Sequence, residues 1–279
     1  MVKEDQPGQS EFCNPKSAIG FAALRQDSRL RYDRSPMYKG RRITIVIPCL
    51  NEEKGIVEVL SRMPSFVDEV IVVDNNSTDR TAELARNHGA LVIHEEVRGY
   101  GRAYKAGLLH ARGDIIVTLD GDHSYPPDAI SYLLESFLRS EVRFLSASRF
   151  PLKNKKAMSL KHWWGNKLLS LAMSLLFLRW VRDSQSGMWV FERTSLEEMH
   201  LVSDGMAFSE EIKIEAIKGK GIGFKEIYID YSNRMGEIKL KPWRDGIRNL
   251  YFLLRKRFSI GLGHAPAIRF ADTTQEKHG

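Results

Sequence analysis

The chain has 279 residues, of which 43% are hydrophobic, enough for a large core in one extended domain or two small ones. Its formal net charge of +7 at pH 7 fits acidic partners such as nucleotides, lipid phosphates, an anionic membrane surface or nucleic acid, although a generic basic surface explains it equally well. Two cysteines, Cys13 and Cys49, exclude a disulfide framework and a zinc-binding spacing, so we expect a reducing, intracellular protein.

The first 40 residues are polar and charged without sustained periodicity, and we expect them to form an N-terminal extension. They contain no apolar segment typical of a signal peptide. No run in the chain approaches the roughly 18 apolar residues of a transmembrane helix, so we expect no membrane span. At the other end, residues 259–279 are expected to form a small, polar C-terminal tail.

Strand-like and helix-like segments alternate between residues 41 and 119. The predicted strands cover 43–48, 69–74, 90–93 and 114–119, and the predicted helices follow residue 53 and cover 80–87 and 99–111. This spacing predicts parallel β-α-β units, in which ligands bind beyond the carboxyl ends of the strands. Pro48, Asp74 and Asp120 all lie at that edge of the predicted sheet.

The triplet Asp120-Gly121-Asp122 directly follows the fourth predicted strand. Two carboxylates at this spacing can turn toward one hard cation, since Mg²⁺ and Mn²⁺ are often held by one or two carboxylates plus substrate phosphates. Alone, the triplet is more typical of a solvated acidic turn. With Glu52 and Asp74 at neighbouring strand ends it forms a constellation that random acidic turns would seldom produce. We expect both carboxylates to face solvent.

The second half of the chain contains one segment whose environment its composition leaves open. Further helices are predicted from residue 128 to about 140, over 210–218 and over 243–258, and further strands over 142–148, 188–191 and 224–231. Residues 168–178 have few polar positions but are too short to span a bilayer. Flanking Trp180 and basic residues favour an interfacial helix, whereas composition alone slightly favours a buried core helix.

Five short motifs follow one another along the chain. They are Pro48-Cys49-Leu50-Asn51-Glu52-Glu53, Val73-Asp74-Asn75-Asn76-Ser77-Thr78-Asp79, Arg98-Gly99-Tyr100-Gly101, Asp120-Gly121-Asp122 and Asp183-Ser184-Gln185-Ser186-Gly187. In this order and spacing they resemble the family 2 glycosyltransferases, and most of all the dolichyl (polyprenyl) phosphate mannosyltransferases. The resemblance covers about residues 42–255. It implies an α/β domain over 41–258 with the GT-A fold, a mostly parallel central sheet flanked by helices.

The resemblance also implies a donor site. It assigns nucleotide-sugar binding to Pro48, Asn51, Glu52, Asp74, Arg98, Asp120 and Arg234. Asp120 and Asp122 match the family's DxD motif, which implies that they bind Mg²⁺ or Mn²⁺ against the nucleotide diphosphate and that Asp122 is catalytic. The glycine-containing loop between Arg98 and Arg102 would suit a diphosphate through close backbone approach.

An acceptor site is implied in the same way. Arg149, Lys167 and Lys239 are predicted to bind the acceptor phosphate, although Lys239 could equally be a surface cation. Asp183 is predicted to be catalytic, either as a base or as a group that orients the acceptor, because a phosphate acceptor is already anionic. Glu211 could face the same pocket.

We therefore expect inverting, metal-dependent transfer of a sugar from a nucleotide sugar to a polyprenyl (dolichyl) phosphate. GDP-mannose is the first expectation for the donor, with UDP-glucose and UDP-N-acetylglucosamine as alternatives. The enzyme would be cytoplasmic and peripheral on the cytosolic face of a membrane, with residues 160–182 and 244–258 on anionic lipid.

Two other functions stay open. One keeps the fold but transfers the sugar to a polysaccharide or lipid-linked glycan. The other is a basic nucleic-acid-binding protein, which would interleave basic and aromatic residues along a groove. Acidic residues at the strand ends would repel a phosphate backbone, so we expect no nucleic acid partner.

Overall fold

The computed structural model describes residues 37–236 and 242–258. Its strands are β1 Ile43–Cys49, β2 Glu69–Asp74, β3 Leu91–His94, β4 Ile115–Thr118, β5 Phe144–Ser148, β6 Trp189–Glu192 and β7 Lys225–Tyr228. Its helices are α1 Glu53–Ser61, α2 Thr81–Asn87, α3 Tyr100–His110, α4 Ala129–Leu138, α5 Leu160–Phe177, α6 Phe208–Lys218 and α7 Pro242–Phe258, with 3₁₀ turns at Lys155–Ala157 and Arg193–Glu198. Most of the predicted extension (1–40) and all of the predicted tail (259–279) lie outside the described residues.

The strands form one seven-stranded sheet in the order β3-β2-β1-β4-β6-β5-β7. Strands β1 to β4 are parallel, and β6 runs antiparallel between β4 and β5. The mostly parallel sheet predicted from the sequence is confirmed, whereas the reversal at β6 was not predicted. Because β6 is reversed, the loop before it reaches the same edge as the carboxyl ends of β1, β2 and β4.

Helices cover both faces of the sheet, which is why its central strands are continuous apolar runs. The alternation along β1 shows this directly. Ile45 and Ile47 pack into a core with α1 and α4, while Val46 packs into a second core with α3, α5, α6 and α7. In the second core the rings of Tyr104 and Phe208 stack with centroids 5.6 Å apart.

Helix α5 is longer than the predicted apolar segment. It begins directly after its capping residue, Ser159, which stands eight positions after Pro151. The Ser159 hydroxyl accepts a hydrogen bond from the His162 backbone N–H at 3.4 Å. One face of α5 buries Leu169 and Met173 in the core, whereas other apolar residues of this helix are exposed. The core-helix interpretation is therefore confirmed for the buried face of this segment, while the interfacial interpretation stays a prediction for the exposed face. None of the helices within residues 37–236 and 242–258 combines the length and the apolar composition that a bilayer span requires.

Close packing of α3 on the sheet generates a stability prediction. A Cβ atom at Gly107 would lie 2.6 Å from Val46 Cγ1 and 2.8 Å from Val73 Cγ2. We expect Gly107→Ala to lower the free energy of unfolding by about 1–3 kcal/mol through overpacking, measured by urea denaturation. The control is Gly165→Ala on α5, where a Cβ meets nothing within 4 Å. There the higher helix propensity of alanine should raise the free energy of unfolding by up to about 1 kcal/mol. A Gly107→Ala midpoint at or above that of the parent would contradict this packing.

Candidate active site

Acidic and basic side chains meet at the edge of the sheet where β1, β2 and β4 end. The Asp120-Gly121-Asp122 turn lies at the centre of this edge. A Cβ atom at Gly121 would lie 2.4 Å from Cys49 Sγ, so glycine is needed between the two carboxylates. Asp120 Oδ1 accepts a hydrogen bond from the Tyr100 hydroxyl at 3.3 Å, and Asp122 Oδ1 accepts one from the Ser124 backbone N–H at 2.9 Å.

The two carboxylates are less exposed than the sequence suggested. Asp122 is completely buried, and Asp120 is partly buried. The reason is that residues 232–236, which follow β7, pack over the turn: the Met235 N–H donates to the Asp122 carbonyl at 2.8 Å. The expectation that both face solvent is therefore wrong for Asp122.

Burial and mutual repulsion make this pair a good cation site. Burial, followed by the charge of Asp122, raises the pKa of Asp120 to about 7, although Arg234 and Arg149 oppose the shift. No group of three or more His, Cys, Asp or Glu residues in the described ranges could hold a metal alone. Two oxygen donors of this kind instead fit a Mg²⁺ or Mn²⁺ ion whose other ligands come from a phosphate-containing substrate and water.

Arg234 contacts the second carboxylate. Its guanidinium forms a salt bridge with Asp122 Oδ2, and its side chain is 26% exposed. Asp122 raises the pKa of Arg234 further above its usual value, against the opposing effect of burial. The structure thus brings the predicted phosphate-binding arginine to the predicted metal site. The predicted Lys239 lies outside the described residues.

Glu52 and Asp74 flank the turn on the side of β1 and β2, and both are buried. Asp74 Oδ2 lies 3.0 Å from His94 Nδ1, and Asp74 Oδ1 accepts from the Ser77 N–H at 3.2 Å. A Cβ atom at Gly236 would lie 3.4 Å from Glu52 Oε2, so the segment that carries Arg234 also packs beside Glu52. Pro48 is half-buried near the end of β1 and pairs with β2.

Asn51 has a structural role at this edge besides its predicted one. Its φ of 51° is left-handed, a conformation that asparagine tolerates. Its backbone N–H donates to Ser77 Oγ at 3.0 Å and its Oδ1 accepts from the Thr78 N–H at 2.7 Å, which ties the β1 and β2 loops together. Arg98 is exposed, and its Nη2 donates to the Asn76 carbonyl at 3.2 Å.

The glycine-containing loop packs differently from the sequence interpretation. Cβ atoms at Gly99 and Gly101 would lie 2.5 Å from the Asp204 carbonyl oxygen and 2.2 Å from that of Ser203. These glycines therefore make room for a neighbouring protein backbone, a role that the sequence interpretation did not include. Arg102 is also held by the protein, since its Nε donates to Glu95 Oε1 at 3.3 Å.

Arg149 and Asp183 form a buried ion pair behind the turn. Arg149 donates from its backbone N–H to Asp183 Oδ2 at 3.0 Å, from Nε to the same oxygen at 2.8 Å and from Nη2 to Oδ1 at 2.7 Å. Burial alone would raise the pKa of Asp183, but Arg149 outweighs it and holds the pKa below its usual value. Both carboxylate oxygens are engaged, so Asp183 is a poor proton acceptor in this arrangement.

Lys167 and Glu211 differ in whether their side chains lie near Arg149. Lys167 Nζ sits 3.9 Å from the centroid of the Phe150 ring, next to Arg149 in the chain. Glu211 does not face the pocket, because its Oε2 accepts from the backbone N–H groups of Val202 and Ser203 at 3.0 and 2.7 Å. Its neighbour Glu210 reaches the loop before β6 instead.

Two residues at the site were not singled out from the sequence. The Tyr100 hydroxyl donates to Asp120. Asn75 connects the end of β2 to the loop after β3, because it accepts from the Gly99 N–H at 2.7 Å and donates to the Val97 carbonyl at 2.9 Å. Both lie inside quoted motifs, which is the signal that could have found them.

Comparison with known proteins places these residues in a family. The sequence model of glycosyl transferase family 2 matches residues 44–199, more than half of the chain. A low-salt glycan biosynthesis hexosyltransferase, Agl6, from Haloferax volcanii is 33% identical over 219 residues, covering 76% of this chain and 53% of the relative. The chain thus spans about half of that relative's length. A dolichyl-phosphate hexose transferase of the same organism is 31% identical over 207 residues, covering 73% of this chain and 89% of the relative.

A solved structure shares the fold. It is glucosyl-3-phosphoglycerate synthase from Mycobacterium tuberculosis in complex with Mn²⁺, UDP-glucose and phosphoglyceric acid. The two align with a TM-score of 0.63 at 23% sequence identity, over 80% of this chain and 81% of the other.

The Arg149–Asp183 pair generates a stability prediction. Asp183→Asn keeps the side-chain size but leaves the buried Arg149 guanidinium without a counter-charge. We expect it to lower the free energy of unfolding by about 3–5 kcal/mol, measured by urea denaturation in a chelating buffer. The matched control, Asp120→Asn, removes one of two repelling charges and should not lower it. Equal stabilities of the parent and Asp183→Asn would show that the pair contributes no net electrostatic stabilisation.

Proposed function

The chain belongs to glycosyl transferase family 2 and has the GT-A fold, and from this premise we propose that it is a metal-dependent enzyme which transfers a hexose from a nucleotide sugar to a polyprenyl phosphate. One observation carries the proposal: partly buried Asp120 and completely buried Asp122 lie together at the end of β4, where Arg234 contacts Asp122. Such a pair needs a cation, and the arginine suits a phosphate group beside it.

The donor would lie across the ends of β1, β2 and β4. Carboxylates accept hydrogen bonds from ribose hydroxyls and base N–H groups, which suits Glu52 and Asp74 on that side of the site. Asp120 and Asp122 would hold Mg²⁺ or Mn²⁺, which when bound neutralises charge on the departing diphosphate. Arg234 contacts Asp122 and would offer its guanidinium to the same phosphates.

The acceptor phosphate would be bound on the side of Arg149 and Lys167. One of its oxygens forms a bond to the anomeric carbon while the bond from that carbon to the diphosphate oxygen breaks, and the nucleoside diphosphate leaves. Attack from the opposite side inverts the configuration. Because the acceptor is already anionic, no proton has to be removed. We therefore assign Asp183 to orienting Arg149 rather than to base catalysis.

The donor is proposed to be a nucleotide hexose. GDP-mannose is our first candidate, with UDP-glucose and UDP-N-acetylglucosamine as alternatives. The Haloferax relatives are named as a hexosyltransferase and a dolichyl-phosphate hexose transferase. The glucosyl-3-phosphoglycerate synthase structure contains UDP-glucose and Mn²⁺. These names support the hexose, the metal and the lipid phosphate.

A second candidate acceptor is a glycan, free or lipid-linked. It is favoured by the name of the Agl6 relative, which refers to glycan biosynthesis. Transfer to an oligosaccharide with no transfer to a polyprenyl phosphate would select it.

The outer faces of α5 and α7 suit a peripheral enzyme with a lipid acceptor. These two helices pack against each other. Exposed apolar residues form a stripe on each helix: Leu160, Trp164, Leu168, Leu171, Leu175 and Leu178 at α5, and Ile247, Tyr251, Leu254 and Phe258 at α7. Exposed cations accompany them, at Lys161, Arg182, Arg244 and Arg248. We propose that this face lies on an anionic membrane surface. The lipid charges attract the cations, and the acyl region accommodates the apolar side chains.

The transfer proposal is tested with a polyprenyl phosphate, a panel of nucleotide sugars and Mg²⁺ or Mn²⁺. We expect one donor to yield glycolipid, and a chelator to abolish the product because the diphosphate loses its counter-ion. Asp120→Ala and Asp122→Ala should each abolish transfer. Product formation is measured by thin-layer chromatography with a radiolabelled sugar.

Circular dichroism of each variant provides the control for folding, since Asp122 is buried beside Arg234. A folded variant that retains full activity would reject the metal-binding role of that carboxylate. Full activity of the parent protein in excess chelator would reject the metal altogether.

The membrane proposal predicts a loss of vesicle binding. Replacing Leu168 and Leu175 by Glu removes two apolar side chains and adds two negative charges, so partitioning onto phosphatidylglycerol vesicles should fall roughly a hundredfold or more. Co-sedimentation measures it. The control is Tyr132→Glu, which replaces another exposed large side chain, on α4, and this variant should bind as the parent does. Unchanged binding of the Leu168/Leu175 variant would reject this face as the membrane surface.

A further inference from the structure

The loop of residues 183–187 connects the two halves of the candidate active site. Its first residue, Asp183, binds Arg149. Its last residue lies against the metal-binding turn, because a Cβ atom at Gly187 would lie 3.2 Å from Asp120 Oδ1 and 2.5 Å from the Tyr100 hydroxyl. A small shift of this loop would therefore move the acceptor side of the site relative to the donor side.

Buried groups from several elements fix the backbone of this loop. The Ser184 N–H donates to Ser170 Oγ of α5 at 2.9 Å. Lys213 of α6, which is fully buried, donates from Nζ to the Ser184 and Ser186 carbonyls at 2.8 and 2.7 Å. These bonds fix the backbone of Ser184 and Ser186, the residues directly before and after Gln185.

Gln185 links the loop to both α6 and α7 through its side-chain amide. Its Nε2 donates to Glu210 Oε1 at 2.6 Å, and its Oε1 accepts from Asn249 Nδ2 at 2.9 Å. Glu210 is completely buried and Asn249 is 4% exposed. Burial raises the pKa of Glu210 to about 8, although Gln185 and Lys213 oppose the shift. Asn249 thus reaches the loop from α7 through one partly buried hydrogen bond.

From this chain of contacts we infer that Gln185 and Asn249 are positioning residues for sugar transfer, an inference that rests on the proposed function. Neither is among the residues proposed to bind the donor or the acceptor. They act by holding the loop that orients Arg149 through Asp183 and abuts Asp120 through Gly187. Asn249 occupies the inner face of α7, whose outer face carries the apolar stripe.

The test is the full-length Asn249→Ala variant. It removes the donor to Gln185 Oε1 and so weakens the attachment of the loop to α7. We expect kcat to fall about tenfold or more while KM for the nucleotide sugar changes less than about twofold, since the donor side keeps its contacts. Amide hydrogen exchange in peptides that cover residues 183–187 should become faster. Gln185→Met, which keeps the side-chain volume, should reproduce both effects from the loop side.

The matched control is Lys256→Gln, about two turns further along the inner face of α7. Lys256 Nζ binds Glu211 and the His200 carbonyl at 2.9 Å, away from the loop. This variant should lower the melting temperature but leave kcat and exchange at residues 183–187 unchanged.

Two results would overturn the inference: an equal fall of kcat in Lys256→Gln and Asn249→Ala, or unchanged loop exchange in both Asn249→Ala and Gln185→Met. Absence of transfer by the parent with every nucleotide sugar would instead overturn the proposed function. The exchange measurement needs no substrate, so it still decides whether Asn249 holds the loop.

Discussion

The repulsion between Asp120 and Asp122 is the constraint around which this edge of the molecule is organised. Removing a carboxylate from water costs several kcal/mol unless a cation or hydrogen bonds compensate, and here a second carboxylate adds to that cost. Arg234 contacts Asp122 and the Ser124 N–H donates to it. The pKa of Asp120 still stays high at about 7. Space for one further cation is the simplest account of an arrangement that would otherwise be unfavourable.

A hydrogen-bonded polar layer lies behind this pair. Arg149 donates to both oxygens of Asp183, and Lys213 Nζ donates to two carbonyls of the adjacent loop. Buried polar networks of this kind rigidify a site when their members are paired. The charged turn at the end of β4 thus rests on a layer of paired groups, to which α5 and α7 contribute with their inner faces while their outer faces carry exposed apolar residues.

The strands could be predicted because they are buried on both sides and read as uninterrupted apolar runs; β2 has the bounds predicted from the sequence. The place of Glu52, Asp74 and Asp120 at one edge follows from the parallel arrangement of their strands. Strand order and the reversed β6 depend on how the later connections cross the sheet. Local periodicity carries no information about those crossings, so this part could not be predicted.

By itself the sequence determined the family, the parallel half of the sheet and the residues that end its strands, because each depends on local patterns or on motif order. Only the tertiary structure decided which charges are buried and with which partners. Arg149 meets Asp183 across 34 positions, and Arg234 meets Asp122 across 112. Such pairs form because folding brings distant segments into a space from which water is excluded, where an unpaired charge is too costly to keep.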